Sequence, residues 1–313
     1  MYLKNKKILV TGGDGFLGRY VVKRLRDRGV PPKNITVPLH HDHDLRDWLT
    51  AKKTVKGHDI VIHLAAKVGG IGLNREKPGE LFYDNAIMGI HLIEASRQAG
   101  VEKFVNVGTI CSYPKFTPTP FQEEHLWNGY PEETNAPYGL AKKIHIVQAQ
   151  AYREQYGFIA INLLQVNLYG PGDHFEPSRS HVIPALIKRV HDAKKSHQMS
   201  IEVWGTGKAT REFLYVEDAA RGIVLATERF NKPDPINLGS GKEISIKNLV
   251  NTIARLMKYK GRIVWDIAKP DGQPRRQLDV SKARREFGFR AMVDFETGLK
   301  NTIAWYTQQQ YHD

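Results

Sequence analysis

A short apolar strand, Lys7-Ile-Leu-Val10, runs into Thr11-Gly12-Gly13-Asp14-Gly15-Phe16-Leu17-Gly18 and then into a helical pattern carried by Val21, Val22 and Leu25. Strand, glycine turn and helix in that order admit few folds. Gly12, Gly15 and Gly18 fall three apart. The first permits a tight turn, the second lets a pyrophosphate approach the backbone, and the third lets the helix pack close to the strand. Free amides at the helix N-terminus supply donors to phosphate. It is this context, more than the number of glycines, that points to a dinucleotide.

The next segments extend the pattern. Asn34-Ile-Thr-Val37 reads as a second strand. Its end carries neither the acid that grips a ribose nor the arginine that accepts a ribose phosphate. It leads instead into Pro38-Leu-His40-His41-Asp42-His43-Asp44-Leu45. Adjacent histidines converge poorly on one ion and no cysteine is near, so no metal is expected; His40 or His41 is placed to meet a ribose phosphate. Asp59-Ile-Val-Ile-His63-Leu-Ala65-Ala66 is apolar throughout, as a buried parallel strand should be, and its small end admits a cofactor. Lys67 to Gly72 reads as a loop and Tyr83 to Gln98 as a helix with Ile87, Ile90, Leu92 and Ile93 apolar. Lys103 to Val107 is the next strand. Asn135 to Tyr156 reads as a helix with Ile144, Val147 and Tyr152 on its apolar positions, and Ala160 to Val166 as a strand ending in Asn167-Leu-Tyr-Gly170.

Strand and helix thus alternate as in a doubly wound, Rossmann-type parallel sheet, an α/β fold. Beyond Gly170 the pattern becomes mixed. The reading is a dinucleotide-binding unit over 1–170, with a return segment at about 213–239, and a smaller mixed α/β substrate unit over 171–212 and 240–313.

The stretch from Gly108 to Lys142 carries the chemistry. Gly108-Thr109-Ile-Cys111 ends the strand, and Pro137-Tyr138-Gly-Leu-Ala-Lys142 opens the helix after a proline-broken segment. Four residues apart on a helix, Tyr138 and Lys142 share a face. A lysine cation beside a phenol is expected to lower its pKa from ~10, so that the phenol can exchange a proton with a carbinol oxygen while a nicotinamide moves hydride. Thr109 can hold the same oxygen.

Charge narrows the partner. The 313 residues carry a net charge of +13, spread along the chain, which fits a phosphate-bearing small molecule better than a nucleic-acid groove. One cysteine excludes an internal disulfide, and no apolar run is long enough to span a bilayer. A cytoplasmic, soluble protein is the expectation.

Taken together, Gly12-x-x-Gly15-x-x-Gly18, Thr109 and Tyr138-x-x-x-Lys142 resemble the extended short-chain dehydrogenase/reductase superfamily. His63-Leu-Ala-Ala-Lys-Val-Gly-Gly-Ile71, Cys111-Ser-Tyr-Pro-Lys115, Asn167-Leu-Tyr-Gly-Pro171, Ser180-His-Val-Ile-Pro-Ala-Leu186, Val203-Trp-Gly205, Arg211-Glu-Phe-Leu214 and Lys269-Pro-Asp-Gly272 are similar to the GDP-L-fucose synthase family. The resemblance implies 3,5-epimerisation of GDP-4-keto-6-deoxy-mannose followed by reduction at C4. It implies Thr109, Tyr138 and Lys142 as the reducing group and Cys111 with His181 as the epimerising pair. Dinucleotide contacts would come from Gly12, Gly13, Asp14, Gly15, Phe16, Leu17 and Gly18, from His40, Asp44 and Leu45, and from Leu64, Ala65 and Ala66. Val107, Gly108, Thr109, Tyr138, Lys142, Gln165, Asn167, Leu168 and His181 would complete that lining. Asn167, Lys188, Arg189, Trp204, Arg211 and Asp271 would meet the substrate, with Trp204 alternatively a core residue.

The resemblance favours NADP(H); Asp14, where many members carry an arginine for the extra phosphate, leaves NAD(H) open. A GDP-sugar partner and a homodimer are implied, with neither nucleic acid nor membrane. Related GDP-deoxysugar enzymes of colitose or 6-deoxyheptose type and sugar-nucleotide C4-epimerases share much of the pattern. A C4-epimerase gives Cys111 and His181 no role, and a non-enzymatic dinucleotide sensor gives none to the Tyr/Lys pair.

Overall fold

The computed structural model describes residues 1–177, 179–269 and 271–310. Ser178, Pro270 of the Lys269–Gly272 run, and residues 311–313 lie outside the described residues.

The chain begins β1 (Ile8–Thr11), α1 (Phe16–Asp27), β2 (Ile35–Thr36), α2 (Trp48–Val55), β3 (Ile60–His63), α3 (Ile71–Glu76), α4 (Pro78–Gln98) and β4 (Lys103–Thr109). It continues with α5 (Ala136–Tyr156), β5 (Ala160–Gln165), β6 (Asn167–Tyr169), α6 (Val182–Lys195), β7 (Ser200–Trp204), β8 (Thr210–Tyr215), α7 (Val216–Arg229) and β9 (Ile236–Leu238). It closes with β10 (Glu243–Ser245), α8 (Ile246–Leu256), β11 (Arg262–Asp266), α9 (Ser281–Phe287) and α10 (Phe295–Gln309).

A parallel sheet in the order β2-β1-β3-β4-β5-β9 is the frame. The order reverses at β1, where doubly wound sheets place their ligands beyond the strand ends. Both faces are covered. Val10, Ile62, Val107 and Leu163 face a core shared with α1 and α7, while Leu9, Val61 and Phe104 face one shared with α2 and α4. A third core, around Tyr169, Phe213, Leu249 and Ile253, lies among α6, α8, α10 and the smaller sheets β10-β8-β6 and β11-β7.

Several boundaries move from their expected places, each for a local reason. Ile71 and Gly72 belong to the short helix α3, and α4 starts at Pro78, which suits a first helical turn. The strand read over 160–166 with its tail is two strands in different sheets, β5 and β6, parted at Val166. The buried face of α5 runs through Ala141, Lys142, His145, Ile146 and Ala149, while Val147 is exposed. Its core face therefore carries polar side chains that hydropathy alone assigns outward. Phe213–Tyr215 stay with the small sheet in β8; α7 then packs on α1, and β9 rejoins the main sheet beside β5. We propose two units on this basis, the return segment running from Val216 to Leu238. No helix of the described residues is long and apolar enough to cross a membrane.

Candidate active site

The glycine turn is shaped by what it cannot hold. Gly12 has φ +68°, and a β-carbon there would sit 2.8 Å from the Ala65 amide nitrogen. A β-carbon on Gly18 would overlap the Gly12 carbonyl oxygen, and one on Gly13 would lie 2.7 Å from a Val37 methyl. Turn, α1, the β2 end and the Leu64–Ala65–Ala66 end of β3 are thereby pressed together. Gly15 caps α1 with no side-chain bond, and no acid occupies the first helical turn, so the helix amides stay free for an anion. These residues fit a dinucleotide pyrophosphate. Phe16 and Leu17 open α1, and Asp14 is exposed with its carbonyl accepting from Arg19 Nε at 2.7 Å.

The second half of the candidate lining is less open. Arg46 holds the Asp44 carboxylate, at 2.7 Å through Nη2, and bonds Asp84 with Nη1. That pairing keeps the Asp44 carboxyl at about 2. Leu45 packs in the core beside α2 and α4. His40 is exposed.

At the end of β4, Thr109 caps a turn of 3-10 helix, Ile110–Ser112, its Oγ1 accepting from the Cys111 amide at 3.2 Å. That turn packs on α5. Ser112 Oγ donates to the Gly139 carbonyl at 2.9 Å, and a β-carbon on Gly139 would overlap the Cys111 carbonyl oxygen. Cys111 is thus seated against the first turn of α5, next to Tyr138. The two residues are 27 positions apart in the chain; the close approach at Gly139 removes that distance.

Electrostatics at the pair differ from the expectation. Burial pushes the Tyr138 phenol above its ordinary value, with a further push from Cys111. Burial lowers Lys142 to about 8. Desolvation dominates at both partners: Lys142 is itself only 2% exposed and loses hydration as the phenol does. Beneath Lys142 lie two buried histidines that sequence reasoning gave no role. His63 Nδ1 meets Thr11 Oγ1 at 2.9 Å, His145 Nε2 meets the Ala86 carbonyl at 3.1 Å, and burial first, then the Lys142 charge, keep both rings neutral. A β-carbon on Gly89 would collide with the His145 ring, so α4 makes room for it with a glycine.

His181 occupies the cap position of α6 and makes no side-chain capping bond. Burial, aided by His174, lowers its pKa. The preceding Ser180 carbonyl lies where a β-carbon on Gly70 would be, at 2.6 Å, which closes the Lys67–Gly72 segment against the approach to α6.

Arg211 comes from β8 and donates to the carbonyls of Thr210 at 2.7 Å and Gln273 at 2.6 Å. Burial drops its pKa to about 10, countered in part by Asp271, Cys111 and Glu132, which places its charge near the thiol. Asp271 is held by the Thr206 amide at 2.7 Å and Thr206 Oγ1 at 2.6 Å. Trp204 is 52% exposed with Lys269 Nζ 5.6 Å from its ring centroid, so it is a surface and not a core residue. Arg189 is exposed and donates to the Glu202 carbonyl, while Lys188 is paired with Asp192 at 2.7 Å. Asn167 and Leu168 begin β6 beside β8. Thr206 and Gln273, which fix this rim, went unnoticed in the sequence: each acts on a partner at least 62 positions away.

A dinucleotide cradle at the sheet's switch point, a Thr/Tyr/Lys group at the end of β4 and a basic rim opposite define a nicotinamide-dependent enzyme of nucleotide-sugar type. The model of the NAD dependent epimerase/dehydratase family matches residues 8–239. Over 308 residues the chain is 38% identical to "Probable GDP-L-fucose synthase 1" of Oryza sativa subsp. japonica, covering 97% of this chain and 93% of the relative. It is 39% identical to a GDP-L-fucose synthase of Sinorhizobium fredii, with 96% and 95% covered. Among solved structures, a GDP-6-OMe-4-keto-L-xylo-heptose reductase from C. jejuni superposes with a TM-score of 0.90 at 26% identity, covering 98% of this chain and 99% of that one. A GDP-L-fucose synthetase from Naegleria fowleri bound to NADP gives a TM-score of 0.86 at 28% identity, covering 98% and 96%. The chain belongs to the NAD dependent epimerase/dehydratase family and, within it, to the GDP-L-fucose synthase family.

Proposed function

We propose that the chain converts GDP-4-keto-6-deoxy-mannose to GDP-L-fucose, epimerising C3 and C5 and reducing C4. The observation that carries this reading is the seating of Cys111 beside Tyr138, which puts a thiol within the reducing site. The 4-keto group acidifies the protons on both neighbouring carbons. At each, one of Cys111 and His181 removes a proton and the other returns one to the opposite face, with no net change in protons. The bound nicotinamide supplies the hydride for C4. Tyr138, held protonated by burial, gives its proton to the carbonyl oxygen, and Thr109 holds that oxygen by its hydroxyl. Lys142 then returns a proton to the phenolate. Arg189 and Arg211 suit the diphosphate by charge and fork geometry. The substrate unit, residues 171–212 and 240–313, holds 21 Lys and Arg against 13 Asp and Glu, a positive surplus that suits a diphosphate.

Purified protein given this substrate with NADPH, and then with NADH, should oxidise the coenzyme and yield a 6-deoxy-L-galacto product. Oxidation confined to a GDP-heptose ketone would favour the second reading, suggested by the likeness to the heptose reductase.

The coenzyme is a nicotinamide dinucleotide, and Asp14 is proposed to set its preference. Asp14 follows Gly13, whose Cα faces Val37 at the end of β2, where the ribose hydroxyls would lie. Asp14→Arg is expected to raise the NADPH-to-NADH affinity ratio about tenfold, read by fluorescence titration. An unchanged ratio places the ribose elsewhere. Tyr83, Ile90 and Val147, exposed on α4 and α5, support a homodimer through these helices; light scattering that reports a monomer at micromolar concentration contradicts it.

A further inference from the structure

Gln165 is the last residue of β5. Its backbone pairs in register with Thr109 on one side and Leu238 on the other. It is 5% exposed, and its amide nitrogen is enclosed without a hydrogen-bond partner. No side-chain hydrogen bond to Gln165 exists among the described residues. Buried polar groups are almost always paired, so an unpaired amide in this position needs an explanation. Position supplies one. Adjacent strands lie ~4.8 Å apart, so Gln165 stands one strand spacing from Thr109 at the same height along the sheet. Thr109 is placed to hold the ketone oxygen. A ring that gives hydride to that ketone carbon must approach it to ~3–3.5 Å. The nicotinamide therefore has to lie within reach of both residues, at the carboxyl ends of the strands where such ligands bind.

We propose that the Gln165 side-chain amide pairs with the carboxamide of the nicotinamide ring. Both groups carry an NH2 and a carbonyl oxygen, so the glutamine amide can turn to set each donor against the other's acceptor. The pairing fixes rotation of the ring about its glycosidic bond and so the face presented to the ketone. Gln165 is a positioning residue in this account: it touches the coenzyme away from the carbon that gives hydride. The assignment rests on the dinucleotide reading of the glycine turn.

The test is binding, not turnover. NADH, NADPH, their thionicotinamide analogues, ADP-ribose and its 2′-phosphate are titrated against wild type, Gln165→Leu and Gln165→Met by calorimetry. Thermal unfolding of each ligand-free protein is recorded alongside. Both variants should bind the intact reduced coenzymes about tenfold more weakly. They should bind the two fragments within about twofold of wild type, and lose most of the wild-type preference for carboxamide over thioamide. Because the amide has no protein partner among the described residues, its removal should leave the unfolding midpoint equal or higher. Equal weakening for fragments and whole coenzymes, an unchanged thioamide preference, or a lower midpoint in both variants overturns the assignment in favour of a purely structural glutamine. If wild type binds neither coenzymes nor fragments, the dinucleotide reading falls and this assignment with it.

Discussion

Tyr138→Phe should lower the rate of ketone reduction by about three orders of magnitude while coenzyme affinity changes by about twofold or less. The phenol hydroxyl is the only group removed, and the ring keeps its packing against the Cys111 turn. The loss should appear in kcat and in kcat/KM alike, because the proton is transferred only in the transition state. The pH dependence of wild type carries the same logic. Burial holds the phenol protonated above its ordinary range, so the acid form required for reduction persists across neutral pH. Lys142, lowered to about 8, is the group that loses its proton first as pH rises. Reduction should therefore decline through about 8 as the lysine can no longer restore the phenol. A Tyr138→Phe enzyme that reduces at the wild-type rate removes this residue as the acid.

Cys111→Ser should cut proton exchange at the carbons flanking the ketone by about two to three orders of magnitude. A serine hydroxyl is far too weak an acid to take the thiol's place, yet it is smaller and keeps the turn. The hydrogen bond that shapes this turn runs from the backbone amide of residue 111 to Thr109 Oγ1, so it survives the change. Reduction of a ketone already in the correct configuration should fall about threefold or less. This split is the signature of one site with two sets of groups. Equal loss of exchange and reduction would mean that Cys111 supports the reducing group structurally and does not move protons itself.

The parts of the site that were legible in the sequence are those with local causes. The glycine turn is one, since Gly12, Gly15 and Gly18 follow a strand and open a helix within eleven residues, and Gly12 and Gly18 are demanded by contacts nearby in the fold. Tyr138 and Lys142 are another, fixed by one turn of helix. Burial was not legible. It reversed the sign of the phenol shift, because the attraction of a lysine can be read from spacing while the desolvation of both partners cannot. The same blindness put Val147 on the core face of α5 and overlooked His145, which the helix buries over Gly89. The substrate rim depends on long-range bonds: Asp271 is aimed by Thr206 and Arg211 by Gln273, and neither pair leaves a periodic trace. Lys188, a candidate for the substrate, also pairs with Asp192 one helical turn on. Gln165 belongs to the expected coenzyme lining, but that its amide lacks a protein partner is seen only in the fold.

The most direct test runs the wild-type reaction in heavy water with GDP-4-keto-6-deoxy-mannose and reduced coenzyme, and reads the product by NMR. Cys111 and His181 acting in the same site as Tyr138 predict deuterium at both C3 and C5, inverted configuration at each, and hydrogen from the coenzyme at C4. Reduction at C4 with protium retained at C3 and C5 would contradict it.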